Sequence, residues 1–247
     1  MLNTNYREFD AKAIQLYDDT YSEEYREFDY KYVVSPDYAH FAPVVKKITK
    51  SFTDPIKVLE IGCGTGRYFH VLENTEELTG IDISESMLNM AKEPVRSSDV
   101  KVPIINLIQG SVFEHDFGTE KFDFIFSIGV LGEHTPLPQD LCHKIYNLLN
   151  DGGCFYFTVV DIDDRKNVKR KIAEAAYPFL PARIKQVLDK RWESNYFTKA
   201  ELIEHMKVGP FDAFEVSNYK ADNSGWTGAH HECIGYKGNN LTKRFFE

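Results

Sequence analysis

Residues 57–67, Lys-Val-Leu-Glu-Ile-Gly-Cys-Gly-Thr-Gly-Arg, constrain this chain more than any other stretch. Val58, Leu59 and Ile61 make a short apolar strand with an acid, Glu60, near its end, and Gly62, Gly64 and Gly66 follow at alternate positions before an expected helix. Glycine lacks a Cβ, so it adopts positive φ and lets a ligand lie on bare backbone. A strand, a glycine loop and a helix N-terminus in succession make a cradle for a nucleotide or a nucleoside.

The chain around this cradle alternates strands and helices. Expected strands cover residues 57–61, 78–82, 104–109, 122–128, 154–160, 211–219 and 232–237, and expected helices cover 38–51, 67–73, 84–93, 137–150 and 198–206. The 137–150 helix should stop at Asp151-Gly152-Gly153. Such alternation predicts a parallel sheet covered on both faces, with right-handed crossovers. Ahead of it, Tyr17, Tyr21 and Tyr25 recur every four residues and so share one face of a helix, either docking that helix or lining a ligand as a lid. After the fifth strand the pattern breaks at residues 161–197, a basic, proline-interrupted segment read as an inserted helical cap. The expected organisation is therefore an N-terminal helical lid, residues 1–54, and a main domain, residues 55–247, that carries the cap.

Composition excludes several classes. A formal net charge of -9 over 247 residues argues against a nucleic-acid partner, which would need cations to displace phosphate counterions. No window approaches the ~20 apolar residues that span a bilayer, and the first residues lack a signal-peptide core. Four dispersed cysteines with no CxxC pair read as buried, reduced thiols. A cytoplasmic protein with no membrane partner is expected.

The glycine spacing separates two families that share this strand-loop-helix start. In Gly62-x-Gly64-x-Gly66 the third glycine comes one position earlier than in the dinucleotide fingerprint G-x-G-x-x-G, and Glu60 stands two residues before the first. With Asp82 ending the second strand about 20 residues beyond Gly62, this resembles motif I of the class I S-adenosylmethionine-dependent methyltransferases. The resemblance extends over most of residues 57–160, including Lys121-Phe122-Asp123-Phe124-Ile125-Phe126-Ser127 as the fourth-strand motif, and Leu148-Leu149-Asn150-Asp151-Gly152-Gly153 as the turn before the fifth strand, where Asp151 replaces the usual proline.

It implies an α/β fold, a Rossmann-like doubly wound seven-stranded sheet, mostly parallel with an antiparallel last strand. It also implies S-adenosyl-L-methionine as cofactor. The loop Gly62, Cys63, Gly64, Gly66 would lie beneath the methionine and ribose portions, and Glu60 would hold the loop or reach the cofactor's amino group. Asp82 would accept the ribose hydroxyls through charge-assisted bonds. Ile83 and Met87 would sandwich the adenine, unless Met87 is ordinary helix core. Ser111 and Val112 follow the third strand, where the family often has an aspartate, so how the adenine is read departs from the pattern. Ser127 would border the site.

The acceptor should meet the cofactor at the loop after the fourth strand, residues 127–134. This loop lacks the Asn/Asp-Pro-Pro-Tyr/Phe tetrad of enzymes that methylate nucleic-acid bases. It offers Glu133 and His134 as the proton-handling pair, with the alternative that His134 caps the next helix and Glu133 pairs with the cap. His230 and His231 enter the last strand on opposite faces, so one of them, His230, is the third catalytic candidate. Tyr21, Tyr25, Trp226 and His231 are substrate-binding candidates. A metal site drawn from Asp161, Asp163, Asp164 and the histidines is set aside for want of a recognised spacing. The reading is methyl transfer to oxygen, nitrogen or carbon of a small molecule in an enclosed pocket; a protein or peptide acceptor, or a non-catalytic cofactor-binding module, remains open.

Overall fold

A computed structural model describes residues 6–17, 19–32, 36–133, 135–161, 176–181, 197–220, 229–238 and 245–246. Seven strands form one sheet: β1 (Ile56–Ile61), β2 (Thr75–Asp82), β3 (Ile104–Gln109), β4 (Phe122–Ser127), β5 (Leu149–Val160), β6 (Ala213–Tyr219) and β7 (His230–Tyr236). Their order is β3-β2-β1-β4-β5-β7-β6. β1 to β5 pair in parallel, while β7 runs antiparallel to both β5 and β6. The α/β class, the doubly wound sheet and the antiparallel last strand are those expected.

The helices are α1 (Tyr6–Leu16), α2 (Asp19–Tyr32), α3 (Pro36–Lys50), α4 (Glu85–Ala91), α5 (Gln139–Leu148) and α6 (Lys199–Val208). Alternation along the strands sorts the core into two layers. Phe124, Phe126 and Tyr156 face a cluster completed by Phe41, Val45 and Ile48 of α3. Ile125, Phe155 and Phe157 face the other, completed by Leu141 and Ile145 of α5 and Leu202 of α6. Each such buried side chain contributes about 1.5–3 kcal/mol. On the α3 side a buried carboxylate, Glu232 of β7, accepts from Tyr156 Oη at 2.7 Å and lies 2.6 Å from His40 Nε2, tying α3 to the sheet. Thr198 and Glu201 form a reciprocal capping box that starts α6.

The structure differs from the expectations in several places, four of them for an identifiable physical reason. Residues 67–73 form only a short 3-10 turn, Phe69–Val71. Tyr68, Phe69, Val71 and Leu72 are all buried there, while Arg67, His70 and Glu73 stay partly exposed, and the run is too short to repay nucleation. Tyr17 lies in a bend between α1 and α2, so the tyrosines do not share one helix; the Tyr17 carbonyl accepts from Ser84 Oγ at 2.7 Å. Strand β5 starts at Leu149, because Gly152 N donates to Lys237 O and Lys237 N to Gly153 O, which carries the ladder through the glycines. Strand β7 starts at His230, two residues early, since His230 and His231 pair with Val160 and Val159.

Most of the 161–197 segment lies outside the described residues. Among the described residues no helix is long and apolar enough to cross a membrane, and all four cysteines are free and buried.

Candidate functional site

The strand order reverses between β1 and β4, and at such a point the two loops leaving the strands diverge and open a crevice at their carboxyl ends. A cavity of about 320 Å³ occupies it, bounded by the glycine loop, the end of β2, the loop after β4 and the N-terminal helices.

The glycine loop is held from the neighbouring strand. Gly62 N and Cys63 N donate to Ile81 O at 2.8 and 3.2 Å, and Gly66 N donates to Cys63 O at 2.9 Å. Asp82 uses both oxygens on backbone, accepting from Gly64 N at 2.8 Å and from Ser84 N at 2.9 Å. Burial pushes the Asp82 carboxyl up, while these donors oppose the shift. Gly62 sits at φ +72°, and a Cβ there would lie 2.5 Å from Val130 Cγ2, so backbone and side chain interlock at this point.

Glu60 is 3% exposed and lines the cavity, and its Oε2 has no hydrogen-bond partner among the described residues. Burial drives its carboxyl well above the usual range, Arg67 draws it down, and Asp82 pushes it further up. A group protonated more readily in the folded than in the unfolded chain loses stability as pH rises through its folded pKa. The ligand-free protein should therefore grow more stable as pH falls from neutral into the carboxylate range. Glu60→Gln should add about 1–3 kcal/mol at neutral pH, at ~2–4 °C of melting temperature for each, and flatten that slope. Some slope remains, because Asp82 acts in the same sense. Thermal melts across pH check this; an unchanged slope in the variant would remove Glu60 as its source.

Of the other residues singled out from sequence, Cys63, Gly64, Ile83, Met87, Ser111 and Val112 line the cavity. Met87 does so from a side chain only 2% exposed, and burial pushes the Cys63 thiol far up, which makes it a packing group. Gly66 and Ser127 do not line it. A Cβ on Gly66 would lie 2.8 Å from the Phe69 ring, and Ser127 Oγ donates to Ile61 O at 3.0 Å, tying β4 to the end of β1.

Across the cavity, Glu133 and His230 approach each other, Oε1 to Nε2, at 3.8 Å, with side chains 10% and 11% exposed. Both line the cavity. Glu133 is no helix cap: α5 begins at Gln139 with Pro138 as its N-cap. His231 points to the opposite face, fully buried, with Nε2 3.4 Å from Asp161 Oδ1; burial lowers its pKa. His134 and Trp226 lie outside the described residues. Tyr25 lines the cavity, whereas Tyr21 does not; its ring sits between Tyr17 at 5.2 Å and Tyr25 at 5.8 Å.

Several lining residues had no place in the sequence-based site: Asp10, Tyr17, Phe41, Arg67 and Thr158. Tyr17 carried a signal in the tyrosine spacing, and Arg67 abuts the third glycine. Asp10, Phe41 and Thr158 reach the cavity only through packing. Among the described residues no three His, Cys, Asp or Glu side chains gather so as to hold a metal ion.

A family model described as "Methyltransferase domain" matches residues 52–229. The chain is 30% identical over 138 residues to carboxy-S-adenosyl-L-methionine synthase of Campylobacter concisus, covering 52% of this chain and 55% of that one. To the synthase of the same name from Nautilia profundicola it is 26% identical over 182 residues, 70% of this chain and 69% of that one. The matched parts span 51% to 69% of the lengths of the first curated relatives. Among solved structures, phospholethanolamine N-methyltransferase 2 of Haemonchus contortus, in complex with phosphomonomethylethanolamine and S-adenosylhomocysteine, shares the fold at TM-score 0.64 and 17% identity, over 96% of this chain and 61% of that one.

Proposed function

This chain belongs to the methyltransferase domain family, the S-adenosylmethionine-dependent enzymes of class I, and from that premise we propose that it methylates a small molecule bound beside the cofactor in the cavity at the β1/β4 crevice. The observation that carries this reading is the pairing of Glu133 with His230 across the cavity from the glycine loop and Asp82.

The residues fit the cofactor. The backbone at Gly62 and Gly64 is bare where a ligand would rest, Glu60 turns an unsatisfied carboxyl oxygen into a buried site, and Asp82 keeps a free lone pair on each oxygen beyond those its two backbone donors use. When bound, S-adenosylmethionine supplies an electrophilic methyl group on a sulfonium. The chain does the rest. Asp82 takes the ribose hydroxyls, Glu60 faces the amino group, and Ile83, Met87, Ser111 and Val112 enclose the adenine. Glu133 and His230 orient the acceptor and hold the proton it gives up, a task that imidazole suits near neutral pH. Tyr17 and Tyr25 roof the cavity from the N-terminal helices, a lid over residues that would otherwise face water.

The size of the cavity supports a small acceptor. At about 320 Å³ it lies at the low end of the ~300–1,000 Å³ typical of ligand sites, and the cofactor must share it. The net charge of -9 argues against nucleic acid.

Calorimetry should detect S-adenosylmethionine and S-adenosylhomocysteine binding, and Asp82→Ala should weaken both by roughly 10–100-fold, the scale of one or two charge-assisted bonds. A variant that binds as the wild type does would remove Asp82 from the cofactor site. Incubation with methyl-labelled cofactor and a fractionated cell extract identifies the acceptor class: label in the small-molecule fraction is expected, and label confined to protein would overturn the small-molecule reading.

A further inference from the structure

The first two helices, α1 and α2, meet the rest of the molecule along the rim of the cavity, and several of their polar contacts are exposed. Tyr6 stacks on Phe113 with centroids 4.6 Å apart, Arg7 Nε lies 3.2 Å from Glu114 Oε1, and Arg26 donates to the Glu93 carbonyl. Contacts of this kind contribute little, since water competes for every partner.

Asp29 of α2 is different. Its side chain is 1% exposed, and it grips the two residues that flank Gly66. One oxygen, Oδ1, accepts from Arg67 Nε at 2.5 Å, with the adjacent Nη2 in ion-pair contact; the other, Oδ2, accepts from the Thr65 hydroxyl. Thr65 and Arg67 both line the cavity, and the Arg67 guanidinium lies 4.7 Å above the centre of the Tyr25 ring, which lines it too. One buried carboxylate thus fastens α2 to the glycine loop and sets the ring that roofs it.

We infer that Asp29 is a positioning residue for cofactor binding, a clasp that ties the N-terminal helices to the glycine loop so that cofactor leaves only when the Thr65 and Arg67 contacts break. The inference rests on the reading of the cavity as the S-adenosylmethionine site. A carboxylate removed from water is stable only while its donors hold it, and a guanidinium that loses its carboxylate seeks another. Releasing the clasp therefore frees α2 from the glycine loop and frees Arg67 from its place over the Tyr25 ring. The loop and the helices share one free energy, so ordering either favours ordering the other.

The test is a chase experiment on the full chain, measuring dissociation of labelled S-adenosylmethionine from wild type, Asp29→Asn and Thr65→Val, with melting temperatures in parallel. Asp29→Asn should speed dissociation roughly tenfold, inside the ~5–150-fold range of coupling between linked sites. Thr65→Val, which keeps the ion pair and removes one oxygen's donor, should give a smaller increase, and the double variant should fall short of the product of the two. If Asp29→Asn does not fold, Thr65→Val alone carries the test. Unchanged dissociation in the folded variants, whatever happens to their melting temperatures, would reduce Asp29 to a packing residue and overturn the inference alone. A wild-type chain that retains no labelled cofactor would overturn the cofactor reading and the inference together.

Discussion

Replacing His230 by alanine or Glu133 by glutamine should lower turnover by roughly 10²–10⁴-fold, the contribution of a positioned acid-base group, while cofactor affinity stays as it was. That is about 3–5 kcal/mol of barrier. The two side chains come from different strands' ends, Glu133 from the loop after β4 and His230 from the start of β7, and they meet only because β7 folds back antiparallel beside β5. Their 3.8 Å separation is longer than a hydrogen bond, and both side chains border the cavity. On the proposed mechanism, an acceptor hydroxyl or amine seated beside the pair would be within reach of both the imidazole and the carboxylate. If the pair acts as a unit, the double variant will lose little more than either single one. Single-turnover rates with the identified acceptor, set beside cofactor affinities from calorimetry, check both points. Wild-type turnover in both single variants would reduce the pair to a structural contact.

Alanine at Gly62 is expected to cost about 2–5 kcal/mol of stability and to abolish cofactor binding in whatever protein remains folded. Two terms combine. An L-residue at φ +72° costs about 1–2 kcal/mol in the left-handed region. The new Cβ would sit 2.5 Å from Val130 Cγ2 and 2.8 Å from Cγ1, an overlap that forces movement at about 1–3 kcal/mol. The total is a large part of the ~5–15 kcal/mol by which a domain is usually stable. Relief by moving the loop would break the Gly62 N–Ile81 O bond that seats it against β2. Urea midpoints and calorimetry measure the two losses. Gly62→Ala combined with Val130→Ala should recover the overlap part and leave the backbone part, which separates the terms. A Gly62→Ala protein with an unshifted midpoint and intact binding would show that the loop bends more freely than its geometry indicates.

Much of this protein is legible in short windows of sequence. Short apolar and β-branched runs located all seven strands, and β3 lies at the very residues expected even though it is a largely exposed edge strand, because strand propensity is a local property of such runs. Glycine spacing and Asp82 located the cradle, since a backbone that must take positive φ leaves its requirement in the residue type. The serine that caps α4 and the Thr198–Glu201 box belong to the same class of signal.

Reading failed where a local pattern had to compete with packing. The run 67–73 reads as a helix, yet it forms only a turn at 69–71, with Tyr68, Phe69, Val71 and Leu72 taken into the core. The tyrosine stripe looked like one helix, yet Ser84, 67 residues on, takes the carbonyl at its first member. The two histidines opening β7 were expected to face oppositely, and they do, but which one meets the cavity depends on the register of β7 against β5. The sequence by itself determined the sheet, the glycine cradle and the acid beside it, because each is encoded by neighbours within a few residues. Only the tertiary structure decided that Glu133 faces His230 and that Asp29 holds Arg67, since those pairs lie far apart along the chain and are joined by how the strands stack and where the N-terminal helices come to rest.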